Sequence, residues 1–421
     1  MLNTSFEFSQ KDLDLFFEPI KTLEHIGLGV SGGVDSVALM FMVFHWAKTK
    51  KTPPKIMVYS VNHGLRDEAI NECEFVKGEA KKLGFKTQVL TWGEKPKSAL
   101  QENARKARYK LIGQAMARNN TQILLTAHHA FDQAETILMR MANGSGIKGL
   151  VGMDRFSQVE NIKIFRPLLD VPPDRLAKII EKAGIKAIKD PSNFDEKYER
   201  VRWRKMLPSL FALGLNEERL NKFSARLKRA TIALDEMSNS LFSEKVEIDD
   251  FGVARILKTE LEKVVEELQI RLIQKLLQKV GGKQKPFALN QIEELTRQII
   301  GRNFKKQTLH GCIIEQKKNH IIFAREISKI QTKEIKLTDQ KEIIWDNRFL
   351  IKNKSKNKYI IYSGVNFTKK DYQNILNKKI TLTLMQIQSA PIIVDERKNV
   401  VFIGKFTINE KLSKDLEVKI I

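Results

Sequence analysis

The sequence predicts an α/β protein: a doubly wound parallel sheet in residues 1–212, a mainly helical domain in 213–327 and a small basic α+β domain in 328–421. Three observations carry that prediction. Short apolar runs alternate with helix-like segments in the first half of the chain, the pattern of parallel strands joined by crossover helices. Past Pro208 the texture turns to charged helical periodicity. From about Ile327 the chain is lysine-rich, with brief β runs.

The elements follow in order. "HIGLGV" (25–30) reads as the first strand, and the helix after it runs through Trp46. "KIMVYSV" (55–61) is the second strand, with "RDEAINECEFVKGEAKKLGF" (66–85) as its helix. "KTQVLTW" (86–92) is the third, followed by a helix from about Ser98 to Arg118. "TQILLTAHH" (121–129) is the fourth, followed by a helix through Met141. Pro53-Pro54 and Gly84 break the chain between them. Farther on, "NEERLNKFSARLKRATIALDEMSNSLFSEKV" and "LKTELEKVVEELQIRLIQKLLQKV" have helical periodicity, and "KKQTLHGCIIEQKKNHIIFAREI" reads as a hairpin. "KYIIYSG", "APIIVDE" and "NVVFIGKF" are short strands of the last domain.

Composition narrows the function classes. The chain has 421 residues, with 73 Lys and Arg against 50 Asp and Glu, a formal net charge of +23. Such an excess attracts polyanions. Lys, Asn and Ile are also abundant together, as an AT-rich genome produces, so charge alone leaves both readings standing. The first residues lack the basic-then-apolar order of a signal peptide, and the longest apolar run, "VALMFMVFHWA", is too short to span a bilayer. Cys73 and Cys312 are far apart and read as free thiols of a reducing compartment. A cytoplasmic protein with no membrane partner is expected.

The most informative stretch is "GLGVSGGVDSVALM" (27–40). It stands where a phosphate loop stands, between a strand and a helix, yet it has no lysine, and no GxxxxGK[ST] occurs in the chain. Gly32 and Gly33 allow the backbone, with the N–H of Val34, to approach an anion, and the helix that follows points its positive end there. Ser31 and Ser36 can donate to phosphate oxygens. Asp35 would repel a phosphate directly and makes sense through a bridging Mg²⁺. A Gly-Gly turn with an acid in the first helical turn is by itself a common helix start. The full SGGxDS after the first strand of an α/β sheet is far more specific, because ligands sit at the carboxyl ends of parallel strands.

That motif resembles the PP-loop of N-type ATP pyrophosphatases, which implies cleavage of ATP between the α- and β-phosphates. The other strand ends narrow the resemblance. "YSVNHGLR" places Asn62, His63 and Arg66 at the sheet's ligand edge. "QENARKARY", "TAHHAFDQAET", "NGSGIKGLVGM", "RPLL" and "DPSNFDEKYERVRWRKMLPSL" follow in order. Together they resemble the tRNA(Ile)-lysidine synthetase family over residues ~25–210, several independent motifs in the order a nucleotide-binding α/β sheet would place them. "KKQTLHGCIIEQKKNHIIFARE" resembles the same family, and "PIIVDERKNVVFIG" resembles its C-terminal module.

The resemblance implies a two-step ligation. The oxygen at carbon 2 of the wobble cytidine in a CAU-anticodon isoleucine tRNA attacks the α-phosphorus of ATP, and pyrophosphate leaves. The side-chain amine of L-lysine then attacks carbon 2, and AMP leaves. ATP and Mg²⁺ are the implied cofactors, the tRNA and lysine the partners, and a homodimer is compatible with the family. At pH 7 only about one lysine side chain in a few thousand is neutral, so a base or positioning carboxylate is expected near the amine. His129 and Asp132, spaced i to i+3 where a strand opens into a helix, are the pair for it, either one serving as base. The family usually has two acids where this chain has Phe131-Asp132. Arg105 and Arg108 flank a helix stripe of Leu100, Ala104, Ala107 and Leu111 and would grip phosphate or the adenylated base. Arg200 and Arg204 form an i to i+4 pair on the helix after "DPSN", where Asn193 and Glu196 have capping spacing. Asp35, Arg105, His129, Asp132, Arg200 and Arg204 form the expected catalytic set. Ser31–Ser36, Asn62 and His63 would bind ATP, and Arg66, Arg108 and Glu135 the other substrates.

Two other readings compete. Thiolating PP-loop relatives use cysteines, often as CxxC pairs, and this chain has none. A non-catalytic RNA-binding protein with a relic nucleotide fold is opposed by the intact loop at 31–36.

Overall fold

The computed structural model describes residues 7–62, 64, 69–93, 100–188, 195–282, 287–330, 333–366, 368, 370, 384 and 388–421. His63, Arg66, Asn193 and the "DPSN" stretch lie outside the described residues. The chain divides into two compact units, Met1–Arg229 and Ala230–Ile421.

The first unit runs α1 (Gln10–Phe17), β1 (His25–Gly29), α2 (Val34–Lys48), β2 (Lys55–Asn62), α3 (Ala69–Lys82), β3 (Lys86–Thr91), α4 (Leu100–Arg118), β4 (Ile123–Leu125), α5 (Ala130–Ala142), α6 (Ile147–Leu150), β5 (Phe156–Val159), β6 (Ile162–Phe165), α7 (Pro173–Lys182) and α8 (Glu199–Ala212). Its sheet has the order β3-β2-β1-β4-β6-β5 and is parallel except for the β5–β6 hairpin. The expected α/β class is therefore observed, with one added hairpin. "FSQVENIKIF" is too short for a strand pattern to declare itself. Its turn is made by Glu160 at φ 52°, a conformation that sequence periodicity does not reveal.

α2 explains the long apolar run. Val37 to Val43 and Trp46 are all buried, so the helix is wrapped by the core on every side rather than amphipathic. β4 is shorter than expected. Leu125 is its last residue, and Thr126–His129 leave the ladder to form the turn into α5. The buried face of α4 also differs from expectation. Ala104 belongs to it, but Tyr109, Ile112, Ala115 and Met116 complete it, while Ala107 and Leu111 are only half-buried. Bulk decides the face, since the Tyr and Ile remove more apolar area from water than an alanine stripe does.

Strand order sets the place for a ligand. β1 pairs with β2 on one side and β4 on the other. The winding direction reverses there, and the carboxyl ends of β1 and β4 open a crevice between the turns that follow them.

α9 (Glu217–Lys245) carries the chain into the second unit. Then come β7 (Val246–Ile248), β8 (Ala254–Leu257), α10 (Lys258–Glu262), α11 (Glu266–Gly281), α12 (Leu289–Ile300), β9 (Lys306–Leu309), β10 (Cys312–Lys317) and β11 (His320–Arg325). The expected hairpin is β10–β11, but it belongs to a five-stranded antiparallel sheet, β7-β8-β11-β10-β9. The segment is helix-rich as expected, and what was not expected is the sheet beneath its helices. The apolar faces of α11 and α12 need a surface to cover, and this sheet supplies it. The remaining strands are β12 (Ile335–Leu337), β13 (Glu342–Trp345), β14 (Phe349–Asn353), β15 (Tyr359–Ser363), β16 (Pro391–Asp395), β17 (Val400–Ile403) and β18 (Phe406–Thr407). A short helix, α13 (Glu410–Ser413), and β19 (Leu416–Ile420) end the chain. They form one sheet of order β12-β15-β16-β17-β18 and another of order β13-β14-β19 around a shared core.

A buried ionic node ties these sheets to the preceding one. Asp346 accepts from Nε and Nη2 of Arg325, both at 2.8 Å, and from Nε of Arg348 at 2.8 Å. Arg348 also donates to Ser389 O and lies over the rings of Trp345 and Phe349. Burial pulls the Arg348 guanidinium down to about 10. Cys73 and Cys312 are buried free thiols. No helix among the described residues is long and apolar enough to cross a membrane.

Candidate active site

The turn after β1 is shaped by its glycines. Gly32 has φ +90°, and a Cβ there would lie 2.5 Å from Ile188 Cδ1. Ile188 N donates to Gly32 O at 3.0 Å, so the segment after α7 is seated on the turn. Gly33 is the N-cap of α2, and a Cβ there would meet Ser31 Oγ at an ordinary 3.8 Å. Ser36 turns inward. Its Oγ accepts from Ser31 N at 3.2 Å and lies 3.0 Å from Gly33 O, to which it donates. That hydroxyl, expected to donate to phosphate, is buried and braces the turn instead. Ser31 Oγ, 3.4 Å from Ser36 Oγ, and the amides of the α2 N-terminus remain for an anion. Asn62 ends β2 on the same edge, its Oδ1 accepting from Gly64 N at 2.8 Å.

The turn after β4 faces the turn after β1. His129 is the N-cap of α5 and closes a capping box with Asp132. Its Nδ1 accepts from Phe131 N at 3.2 Å, and Asp132 Oδ2 accepts from His129 N at 2.9 Å. An Nδ1 that accepts leaves the ring proton on Nε2. Nε2 stands 3.5 Å from Asp132 Oδ2 and 3.6 Å from Asp35 Oδ2. Burial opposes a charge on His129, but the Asp35 and Asp132 carboxylates outweigh it and hold the imidazole above its ordinary value. Burial likewise opposes a charge on Asp132. The neighbouring His129 imidazole and the Arg200 cation win and hold it below the usual carboxylate range.

α8 closes the other side. Glu135 is fully buried, and its two oxygens accept from Arg200 Nε at 2.6 Å and Arg204 Nε at 2.5 Å. The second nitrogens of both arginines reach Asp132 Oδ1, at 3.1 and 3.5 Å. Burial disfavours the Arg204 charge, yet Glu135 and Asp132 raise its pKa. The expectation that Glu135 binds substrate is corrected: it has no open surface, and both oxygens are engaged by guanidiniums. What carries α8 to α5 is apolar. Phe131 meets Phe211 edge to face at 5.2 Å, beside Trp203, Leu207 and Leu210.

Two residues outside the expected set belong to this edge. His128 follows β4, with Nδ1 2.9 Å from Thr126 Oγ1. Burial pushes it down to about 4, Asp132 opposing, and Arg166, Arg200 and Arg105 add to the shift. Arg166 follows β6 and is buried. The doubled histidine of "HH" and the arginine of "RPLL" at a strand end were the available signals. Arg105 lies over the Tyr109 ring at 5.3 Å, and burial lowers Arg108 from its ordinary value. Arg105 is a surface guanidinium of α4, whereas Arg108, exposed as a residue, has its guanidinium end desolvated by the atoms around it. Next to α5, the stretch 143–153 is bolted down: Gln133 bonds Met153 through both ends of its amide, and Arg140 Nη1 donates to Gly149 O and Gly152 O at 2.7 Å.

Among the described residues no group of three or more His, Cys, Asp or Glu could hold a metal ion by itself. Asp35, with its carboxylate open to solvent, fits a cation brought in by a nucleotide and held by one or two carboxylates plus phosphate.

A parallel sheet with a lysine-free glycine turn at its switch point defines a PP-loop nucleotide-binding protein, and residues 6–210 match the PP-loop domain family. Three curated relatives carry the comparison further. The chain is 35% identical to the tRNA(Ile)-lysidine synthase of Wolbachia pipientis wMel over 80% of each chain. It is 37% identical to that of Rhodopseudomonas palustris over 71% of this chain and 89% of the relative, and 31% identical to that of Rickettsia bellii over 86% and 83%. The chain belongs to the tRNA(Ile)-lysidine synthase family, ATP-dependent ligases built on a PP-loop domain.

Proposed function

We propose that the chain joins L-lysine to carbon 2 of the wobble cytidine of the CAU-anticodon isoleucine tRNA, by the two steps the family implies, and that the crevice between the β1 and β4 turns is where both occur. The observation that carries this reading is the meeting of Asp35, His129 and Asp132 across the switch point, where Nε2 of His129 stands between the two carboxylates. The turn at 31–36 receives the leaving pyrophosphate on backbone N–H groups and the positive end of α2. Mg²⁺ would be held by Asp35 and supplies charge neutralisation for the phosphates. His129 and Asp132 hold the incoming amine and take up its proton as a pair before the nitrogen attacks carbon 2. Glu135 orients Arg200 and Arg204, whose remaining N–H groups face the charge that develops on the departing AMP.

The residues after the first domain, 213–327 and 328–421, bind the tRNA in this reading, and a homodimer is compatible with it. The net charge of +23 supports polyphosphate contacts, which predict affinity falling linearly with log salt. Incubation with labelled lysine, ATP and the tRNA, followed by nucleoside analysis, tests the function. Asp35→Ala is expected to fold and to lose magnesium-dependent pyrophosphate release; wild-type release would remove Asp35 from the reaction.

A further inference from the structure

Arg166 carries a charge that the fold leaves unanswered. It is the residue after β6, whose Phe165 pairs with Leu125 at the end of β4, so it stands on the same sheet edge as His128 and His129. The residue is 4% exposed. Nη1 donates to Asp154 O at 2.8 Å and Ser157 Oγ at 2.9 Å, both neutral acceptors. Nε is buried without a partner, Nη2 has none, and among the described residues no carboxylate pairs with the guanidinium. The contrast with Arg200 and Arg204, each gripped by two carboxylates, is complete. A buried cation without a counter-charge is unfavourable, and two of this guanidinium's nitrogens are left over. Arg105 acts against the charge on both Arg166 and His128, while the Asp154 carboxylate favours it without bonding the guanidinium, its Oδ1 accepting from Lys228 Nζ instead.

We propose that Arg166 is an oxyanion-binding residue of the crevice, completing its charge balance only when a substrate anion is present. The ligand chemistry is a phosphate or carboxylate oxygen, which a guanidinium meets with paired N–H groups. It has two sources here, the phosphate chain of ATP and the α-carboxylate of the amino acid. The proposal rests on reading the crevice as the reaction site.

The test uses the full-length protein and the variants Arg166→Gln, Arg166→Lys and Asp35→Ala. ATP–pyrophosphate exchange with the tRNA present gives KM for ATP, lysine incorporation gives KM for lysine, and thermal melting follows stability. Arg166→Gln is expected to raise one KM tenfold or more with kcat changed less than threefold, and Arg166→Lys to recover part of it. A rise confined to ATP assigns the phosphate source, and one confined to lysine assigns the carboxylate. Both KM values within twofold of wild type, with only the melting temperature lowered, overturn the proposal and leave Arg166 a brace of the β5–β6 hairpin. Should Arg166→Gln not fold, Arg166→Lys carries the same measurements: a threefold rise in one KM supports the proposal and none overturns it. If Asp35→Ala keeps full exchange, the reading of the crevice fails. If it is inactive while Arg166→Gln has wild-type KM values, only the anion subsite fails.

Discussion

Replacing Glu135 by Gln changes one atom and removes one charge, at a carboxyl that has no solvent exposure and two guanidinium donors. The amide oxygen can still accept from one Arg Nε, but the amide NH₂ then faces the other, donor against donor. Removing one partner from a buried ion pair costs about 3–5 kcal/mol when the remaining charge stays buried. Here Arg200 and Arg204 are 42% and 41% exposed in their side chains, so water recovers part of their solvation. Asp132 also keeps a claim on both. The expected loss is therefore about 2 kcal/mol, below the buried-pair range because the arginines are part-exposed. For a unit of this size that lowers the melting temperature by about 4–8 °C. The arginines should also drift from their places, so pyrophosphate exchange should fall at least tenfold with little change in KM for ATP. Differential scanning calorimetry and exchange kinetics measure the two effects. An unchanged melting temperature together with unchanged kcat would refute the claim that Glu135 holds α8 against α5.

Gly32→Ala is expected to cost about 1–3 kcal/mol, since the residue sits at φ +90° and a Cβ would meet Ile188 Cδ1. Adding Ile188→Ala should recover the clash but not the backbone strain, and full recovery in urea unfolding would show that strain is absent. Phe131→Ala removes the half-buried ring that meets Phe211, at about 2 kcal/mol, roughly half the cost of a fully buried Phe. It should lower kcat through Arg200 and Arg204, and a stability loss without a kcat change would separate the apolar contact from the site. His128 has a folded pKa of about 4 against an ordinary value near 6.5. Its neutral form is the one the fold accepts, so its contribution is complete above pH 6.5 and is lost as pH falls toward 4. His128→Gln should flatten that part of the stability–pH curve, and parallel curves for variant and wild type would contradict a buried neutral imidazole.

Much of the first unit was legible because each strand was an apolar run and each crossover carried its own breaker. The turn at 31–36 was legible because glycine pairs, hydroxyls and an acid in six residues have few other uses. The role of Glu135 was not. Sequence shows an acid in the first half of a helix, and only the docking of α8, nearly 70 residues later, reveals that both its oxygens are taken. Ser36 turned inward for a related reason, since a hydroxyl near a tight turn can satisfy the turn itself. The sheet beneath α11 and α12 was missed because its strands are short. Three of its five strands have three or four residues, below the length at which alternation separates from noise.

Because Arg325 and Arg348 share the single carboxylate of Asp346, the sheet ending in Arg325 and the strands beginning near Ile335 cannot come apart without stranding a guanidinium in the interior. Opening that seam costs about 3–5 kcal/mol before any apolar surface is exposed. Residues 230–421 should accordingly melt as one cooperative block, with a single calorimetric peak. A protease nick between Arg325 and Ile335 should leave two fragments that stay associated until that peak is reached.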